Sequence, residues 1–93
     1  MKLIYSKQAV ADLDRLRAFI AEHDPDAASR VTQALITRVD MLREFPQIGV
    51  ELERNTAPAE IRDMVFGKYV VRYSIHETAV FILRVWHHLE ERS

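Results

Sequence analysis

Three arginines raise the question of chemistry. Arg62, Arg72 and Arg84 fall one each in three short runs, 60–66, 69–75 and 79–88, rich in Val, Ile, Phe, Tyr and Trp. A guanidinium is a permanently charged planar fork that matches phosphate or carboxylate. Three of them on one face would suit a phosphate or an acidic partner. Tyr73 and Trp86 would flank such a cluster, where a ring can stack on a base or a guanidinium. The competing reading is arginines on a solvated sheet face, their stems covering apolar surface, with Trp86 in the core or at a sheet edge. His87-His88 is the second candidate. Adjacent strand residues point to opposite faces, so the pair is not expected to share an ion. Zinc would need two further ligands, and His23 and His76 lie in unrelated turns. Neither a metal site nor a cofactor is expected.

Other signatures are missing. The sequence has no GxSxG, no Walker loop, no GxGxxG and no HExxH. Its two glycines are too few for a phosphate-cradling loop. Ser6, Ser29, Ser74 and Ser93 stand in no nucleophile motif.

The elements that must position these residues follow from the pattern. The three runs read as consecutive antiparallel strands, with Gly67 supplying the first turn. The last run is apolar at both parities until Arg84, which predicts an internal strand. Residues 2–5 form a candidate first strand, expected beside the last. Ser6 is a helix N-cap. Residues 7–22 then place Ala9, Leu13, Leu16 and Ile20 on one helical face, with Val10 beside them and Asp12, Asp14, Arg15 and Arg17 mostly away. Asp24-Pro25-Asp26 starts a second helix, with Asp24 as cap and Pro25 in the first position. This helix is expected to run to about residue 44, burying Ala28, Val31, Leu35, Val39 and Leu42, before Pro46 stops it. Residues 47–59 are the one long irregular stretch, read as a mobile loop. The tail 89–93 is expected to fray. The predicted fold is α+β in the order β-α-α-β-β-β. A helical hairpin packs on one face of a small, mainly antiparallel twisted sheet, and residues 1–93 make one domain.

Composition narrows the classes. Hydrophobic residues make up 48% and charged ones 29%, as in a globular domain. The absence of cysteine excludes disulfides and thiol chemistry. No apolar run reaches the length of a membrane span, and residues 1–7 contain no secretory segment, so the expected compartment is the cytoplasm. The net charge is −1. A dedicated nucleic-acid binder usually carries a basic excess, so direct specific nucleic-acid binding is not expected.

At this point the residues resemble a known family. The element order is similar to the RelE/ParE superfamily of type II toxin–antitoxin toxins, and more specifically to its ParE branch. The likeness rests on Ile61-Arg62 and on Gly67-Lys68-Tyr69-Val70-Val71-Arg72-Tyr73. It rests also on Val80-Phe81-Ile82-Leu83-Arg84-Val85-Trp86-His87. The stretch Leu42-Arg43-Glu44-Phe45-Pro46-Gln47-Ile48-Gly49 resembles the family's helix end. The resemblance implies a growth inhibitor kept silent by a cognate ParD-like antitoxin. ParE-like members are associated with inhibition of DNA gyrase and have no accepted catalytic residues. RelE- and YoeB-like members instead cut mRNA in the ribosome with Arg, Lys, Tyr, Glu or His side chains. Because the branches share a fold, fold does not decide between them.

Two features rank gyrase first. The chain is not basic, and Val70-Val71 occupy a stretch where nuclease members often carry an arginine. If the chain were a nuclease, Arg62, Arg84, His87 and His88 would be the catalytic set. An inactive, antitoxin-binding relative is a third reading. For gyrase, the expected target contacts are Arg84, Trp86, His87 and His88. For the antitoxin, the expected surface is a groove on the two helices rimmed by Val10, Leu13, Ile20 and Leu35. There Arg15, Arg17, Arg62 and Arg72 would meet acidic residues of a segment that folds on binding. The expected complex is a heteromer, two toxins with two antitoxins or larger.

Overall fold

The computed structural model describes residues 1–52 and 59–90. Residues 53–58 of the expected loop and 91–93 of the expected tail lie outside the described residues. The chain runs β1 (Lys2–Tyr5), α1 (Lys7–His23), α2 (Pro25–Asp40) and a 3₁₀ turn (Met41–Arg43). It continues through β2 (Val50–Glu51), β3 (Glu60–Phe66), β4 (Tyr69–Ile75) and β5 (Ala79–His87). The strands form one sheet in the order β1-β5-β4-β3-β2. The meander β3-β4-β5 is antiparallel as predicted, and β1 lies beside β5, parallel to it. The two-residue β2, inside the stretch read as irregular, pairs with β3 through Val50 and Glu51.

Local chemistry sets the helices. Ser6 Oγ accepts the Ala9 N–H at 3.0 Å and starts α1. Asp24 serves both helices: its N–H donates to the Ile20 carbonyl at 2.8 Å, and its carboxylate accepts the Ala27 N–H at 3.1 Å. With Pro25 next, the chain turns back at once. The α-helical ladder stops at Asp40, short of residue 44, and the last turn tightens to 3₁₀. Such tightening is a common way to satisfy the carbonyls of a helix end. Gly67 sits at φ +59° in the β3–β4 turn, where a side chain would be strained.

The core lies between the hairpin and one sheet face. Ala9, Leu16, Leu35, Val39 and Leu42 meet Met64, Val71, Tyr73, Val80, Ile82 and Val85. These strand residues share rows across the registers, Met64-Val71-Val85 being one. A bulge in β5 between the partners of Arg72 and Tyr73 leaves Leu83 extra. Arg72 alternates with Val71 and Tyr73, so it faces away from the helices.

α1 departs from its helical-wheel reading. Its buried residues are Ala9, Asp12 and Leu16, and Asp12 is 2% exposed. The reason is the edge of β5. β1 ends opposite Ile82, and past that point α1 takes the place of a strand. Ser6 N–H donates to the Ile82 carbonyl at 2.9 Å, and Ser6 Oγ to that of Leu83 at 2.9 Å. Asp12 Oδ2 accepts the Val85 N–H at 2.8 Å. The strand edge is thus closed by one backbone bond from Ser6 and by the side chains of Ser6 and Asp12.

Candidate functional site

The three arginines do not converge on open space. Arg62 pairs with Glu60 and donates to the carbonyls of Gln47 (3.3 Å) and Gly49 (2.6 Å). It holds the loop after the 3₁₀ turn. Tyr73 does the same from below: its hydroxyl donates to the Pro46 carbonyl at 2.6 Å and accepts the Gly49 N–H at 2.9 Å. Tyr73 is therefore core and presents no stacking face, contrary to expectation. Gly49 is required there, because a Cβ would stand 2.6 Å from the Tyr73 hydroxyl and 2.8 Å from the Asp63 carbonyl.

Arg72 grips its cross-strand neighbour Asp63 with two hydrogen bonds, 2.8 and 3.0 Å, and lies 5.1 Å over the Trp86 ring. That fork holds its proton even more firmly than usual. Trp86 is buried on the helix-free face of the sheet. Arg84 stands opposite Arg72 in register, but the bulge sends it to α1, where it donates to Asp12 at 2.8 and 3.0 Å. Burial by itself would raise the Asp12 carboxyl. Donors from Arg84, the Val85 N–H and Arg15 outweigh it and hold the group at about 2, below its ordinary 3.8. Asp12 is the centre of an ion-pair network that sequence reasoning missed. Its signal was a carboxylate three residues after Ala9 and four before Leu16, inside the apolar stripe.

The histidines also differ from expectation. β5 ends at His87, so His88 already belongs to the turn and the two do not point to opposite faces. Their rings stack, 4.8 Å apart at 24°. Tyr69 meets His87 edge-on at 5.4 Å. Leu89 N–H donates to His87 Nδ1 at 3.1 Å, which puts the neutral ring's proton on Nε2. His88 Nδ1 lies 3.2 Å from the Lys68 carbonyl and must carry a proton to bond there, which in the neutral ring leaves Nε2 as acceptor. The structure thus brings together His87, His88, Tyr69 and Lys68, and keeps Arg62 elsewhere. Among the described residues, no group of three or more His, Asp or Glu is disposed to hold a metal.

The expected antitoxin set splits in a similar way. Val10 and Arg17 are exposed on α1, and Leu13 and Ile20 are half-buried. Arg15 is also on α1 but is engaged with Asp12 and Glu90. Leu35 is 2% exposed and belongs to the core, so it rims no groove. Arg62 and Arg72 lie on the sheet with carboxylates of their own. Phe19 and Ile36, which were not singled out, are exposed apolar residues of the hairpin. Within the tail, Glu90 bonds Arg15.

A two-helix hairpin on one face of an open, mainly antiparallel sheet defines an α+β class of small domains. A family model described as the ParE toxin of the type II toxin–antitoxin system parDE matches residues 3–92. The chain belongs to this family and is a type II toxin of the ParE/RelE group. It is 35% identical over 92 residues to Toxin RelE1 of Caulobacter vibrioides, covering 97% of this chain and 96% of that one. It is 33% identical over 87 residues to Toxin RelE2 of the same organism, covering 92% and 93%. A solved chromosomal ParDE system from P. aeruginosa shares the fold with a TM-score of 0.78 at 20% identity, covering 94% of this chain and 95% of that chain. The toxin–antitoxin complex RelBE2 from Mycobacterium tuberculosis gives 0.66 at 27% identity, covering 96% and 92%. Among the described residues, no helix is long and apolar enough to cross a membrane.

Proposed function

We propose that this toxin arrests growth in the cytoplasm by acting on DNA gyrase, without catalysis of its own, and that a ParD-like antitoxin silences it. One observation carries the choice of target. Arg62, Arg72 and Arg84 are each committed to a carboxylate, and Arg62 to loop carbonyls as well. A ribonuclease must offer uncommitted cations to the charge that develops on the scissile phosphate. The net charge of −1 supports the same reading, since docking on ribosomal RNA favours a basic surface. The proposed target contacts are Arg84, His87 and His88; Trp86, buried beneath Arg72, is not among them. The proposed antitoxin surface is the exposed side of the hairpin, with Val10, Leu13 and Ile20 extended by Phe19 and Ile36, and with Arg17 at the rim.

The second reading, a ribosome-dependent mRNA endonuclease, is favoured by the stacked histidines beside Tyr69 and Lys68. Induction of the toxin alone separates the two. SOS induction, filamentation and stalled replication with translation intact are expected. Rapid loss of translation with cleaved mRNA would replace gyrase by the ribosome. Co-expression with the neighbouring small reading frame is expected to give a stable heteromer of two toxins and two antitoxins. Separate elution of the two proteins at micromolar concentration would remove the antitoxin proposal.

A further inference from the structure

The turn that carries the histidines is held from α1. Arg15 donates to Asp12 at 2.6 Å, to the Val85 carbonyl at 3.4 Å and to Glu90 at 3.2 Å. Glu90 Oε1 also accepts the His87 N–H at 2.8 Å, and the Glu90 N–H donates to the His87 carbonyl at 2.9 Å. One carboxylate is therefore shared between a helix cation and the backbone of His87. The His88 N–H, on the Lys68 carbonyl at 2.8 Å, fixes the other side of the turn. Arg15 is itself oriented by the buried Asp12, so little of its freedom remains to be lost in reaching Glu90. Between these anchors Leu89 stands 77% exposed at the tip.

The two rings have complementary roles. His87 keeps its Nε2–H because Nδ1 is occupied by the Leu89 N–H, and His88 keeps a bare Nε2 because Nδ1 faces Lys68. A donor and an acceptor are thus presented by two stacked rings. Unheld, each ring would sample both tautomers and many orientations, and binding would have to order them.

We infer that Arg15 and Glu90 are positioning residues. Their ion pair locks the 87–90 turn so that His87 and His88 present a fixed donor–acceptor pair, with Leu89 at its tip, to the protein target. This rests on the proposal that the turn meets the target, and the test keeps the two apart.

The first measurement ignores the target. In the purified full-length chain, ¹⁵N spectra read the tautomer of each histidine, and hydrogen exchange reads the Leu89 amide. Glu90→Ala removes the acceptor for both Arg15 and His87. It is expected to lower Leu89 protection by about 10-fold, the size of one charge-assisted hydrogen bond partly screened by water. It is also expected to mix the His87 tautomers. Glu90→Gln keeps an oxygen for the His87 N–H and should lie between Glu90→Ala and wild type. Arg43→Gln breaks the exposed Arg43–Asp40 pair and should change neither readout. Unchanged tautomers and protection in Glu90→Ala overturn the lock. The second measurement is the inducer dose needed for growth arrest, with folded toxin quantified in each strain. Glu90→Ala is expected to need several-fold more and Glu90→Gln less than that. A freed turn with an unchanged dose overturns the positioning role and leaves the gyrase proposal standing. If gyrase proves not to be the target, the spectra still decide the lock and the dose still decides its importance. Should Glu90→Ala not fold, Glu90→Gln decides by the same criteria.

Discussion

Removing the charge of Asp12 should cost more stability than any other single-charge change in the described structure. The carboxylate is 2% exposed and receives Arg84, Arg15 and the Val85 N–H. Its held value of about 2 against 3.8 is worth about 2 kcal/mol at neutral pH. Asp12→Asn keeps one acceptor oxygen and should lose about 2 kcal/mol, lowering Tm by about 10 °C for a domain of this size. Asp12→Ala leaves the Val85 N–H without its acceptor, Arg84 without its carboxylate and Arg15 with the carboxylate of Glu90 alone. It should lose about 3 kcal/mol, at the low end for a broken buried pair because both arginines can reach water. The pH dependence has a definite sign. The folded carboxyl titrates below the unfolded one, so its contribution is complete above about pH 4 and disappears as pH falls towards 2. Urea titrations followed by circular dichroism, repeated at several pH values, measure both effects. A loss below about 0.5 kcal/mol for Asp12→Asn would refute the edge-closing argument. A wild-type-to-Asn difference that stays flat across that pH window would refute its charge component.

Three further outcomes follow from the described contacts. Tyr73→Phe leaves the Gly49 N–H without its acceptor and should cost about 1–3 kcal/mol, with faster exchange of the Gly49 amide; unaltered exchange would show that Arg62 alone holds the loop. Gly49→Ala should destabilise by more than about 2 kcal/mol through its clash with Tyr73 and the Asp63 carbonyl, whereas Gly67→Ala, with open space around it, should lose only about 1–2 kcal/mol for its left-handed backbone. Equal Tm shifts for the two glycines would contradict this. Arg72→Ala should uncover Trp86, the single tryptophan, and shift its fluorescence to the red with a stability loss of about 1 kcal/mol; an unshifted spectrum would mean that the guanidinium does not cover the ring.

Much of the fold was legible because it rests on local signals. The meander announced itself through β-branched and aromatic runs divided by Gly67 and by 76–78. The hairpin did so through Ser6, Asp24 and Pro25. The α2 face Ala28, Leu35, Val39 was read correctly because nothing but apolar contact buries it. Asp12 was not legible in this way. A helical wheel sends carboxylates outward, and only the end of β1 opposite Ile82 makes an acid inside the stripe favourable. β2 escaped because two residues carry no periodicity. The arginines were legible as strand residues, and Glu60 lies two residues before Arg62 on the same strand, but the partners Asp63 and Asp12 are chosen by register and by a bulge, which sequence spacing does not reveal. The histidine pair was misplaced by a single residue of strand length. Ending β5 at His87 turns opposed side chains into stacked ones.

The pairing of β1 with β5 also dictates an order of events during synthesis. Ser6 meets Leu83 across 77 residues of chain, and Asp12 meets Val85 across 73. The hairpin α1–α2 joins neighbours and can form early, but its apolar stripe has no sheet to cover it until β3, β4 and then β5 have been made. Val80, Ile82 and Val85 are made after the other residues of this core and complete what Ala9 and Leu16 entered first. A ribosome that stalls before β5 therefore releases a chain without a closed core, without the bonds that hold the histidine turn, and with its first strand unpaired. Products cut short before β5 are non-native by construction, and the core closes only once β5 has been made.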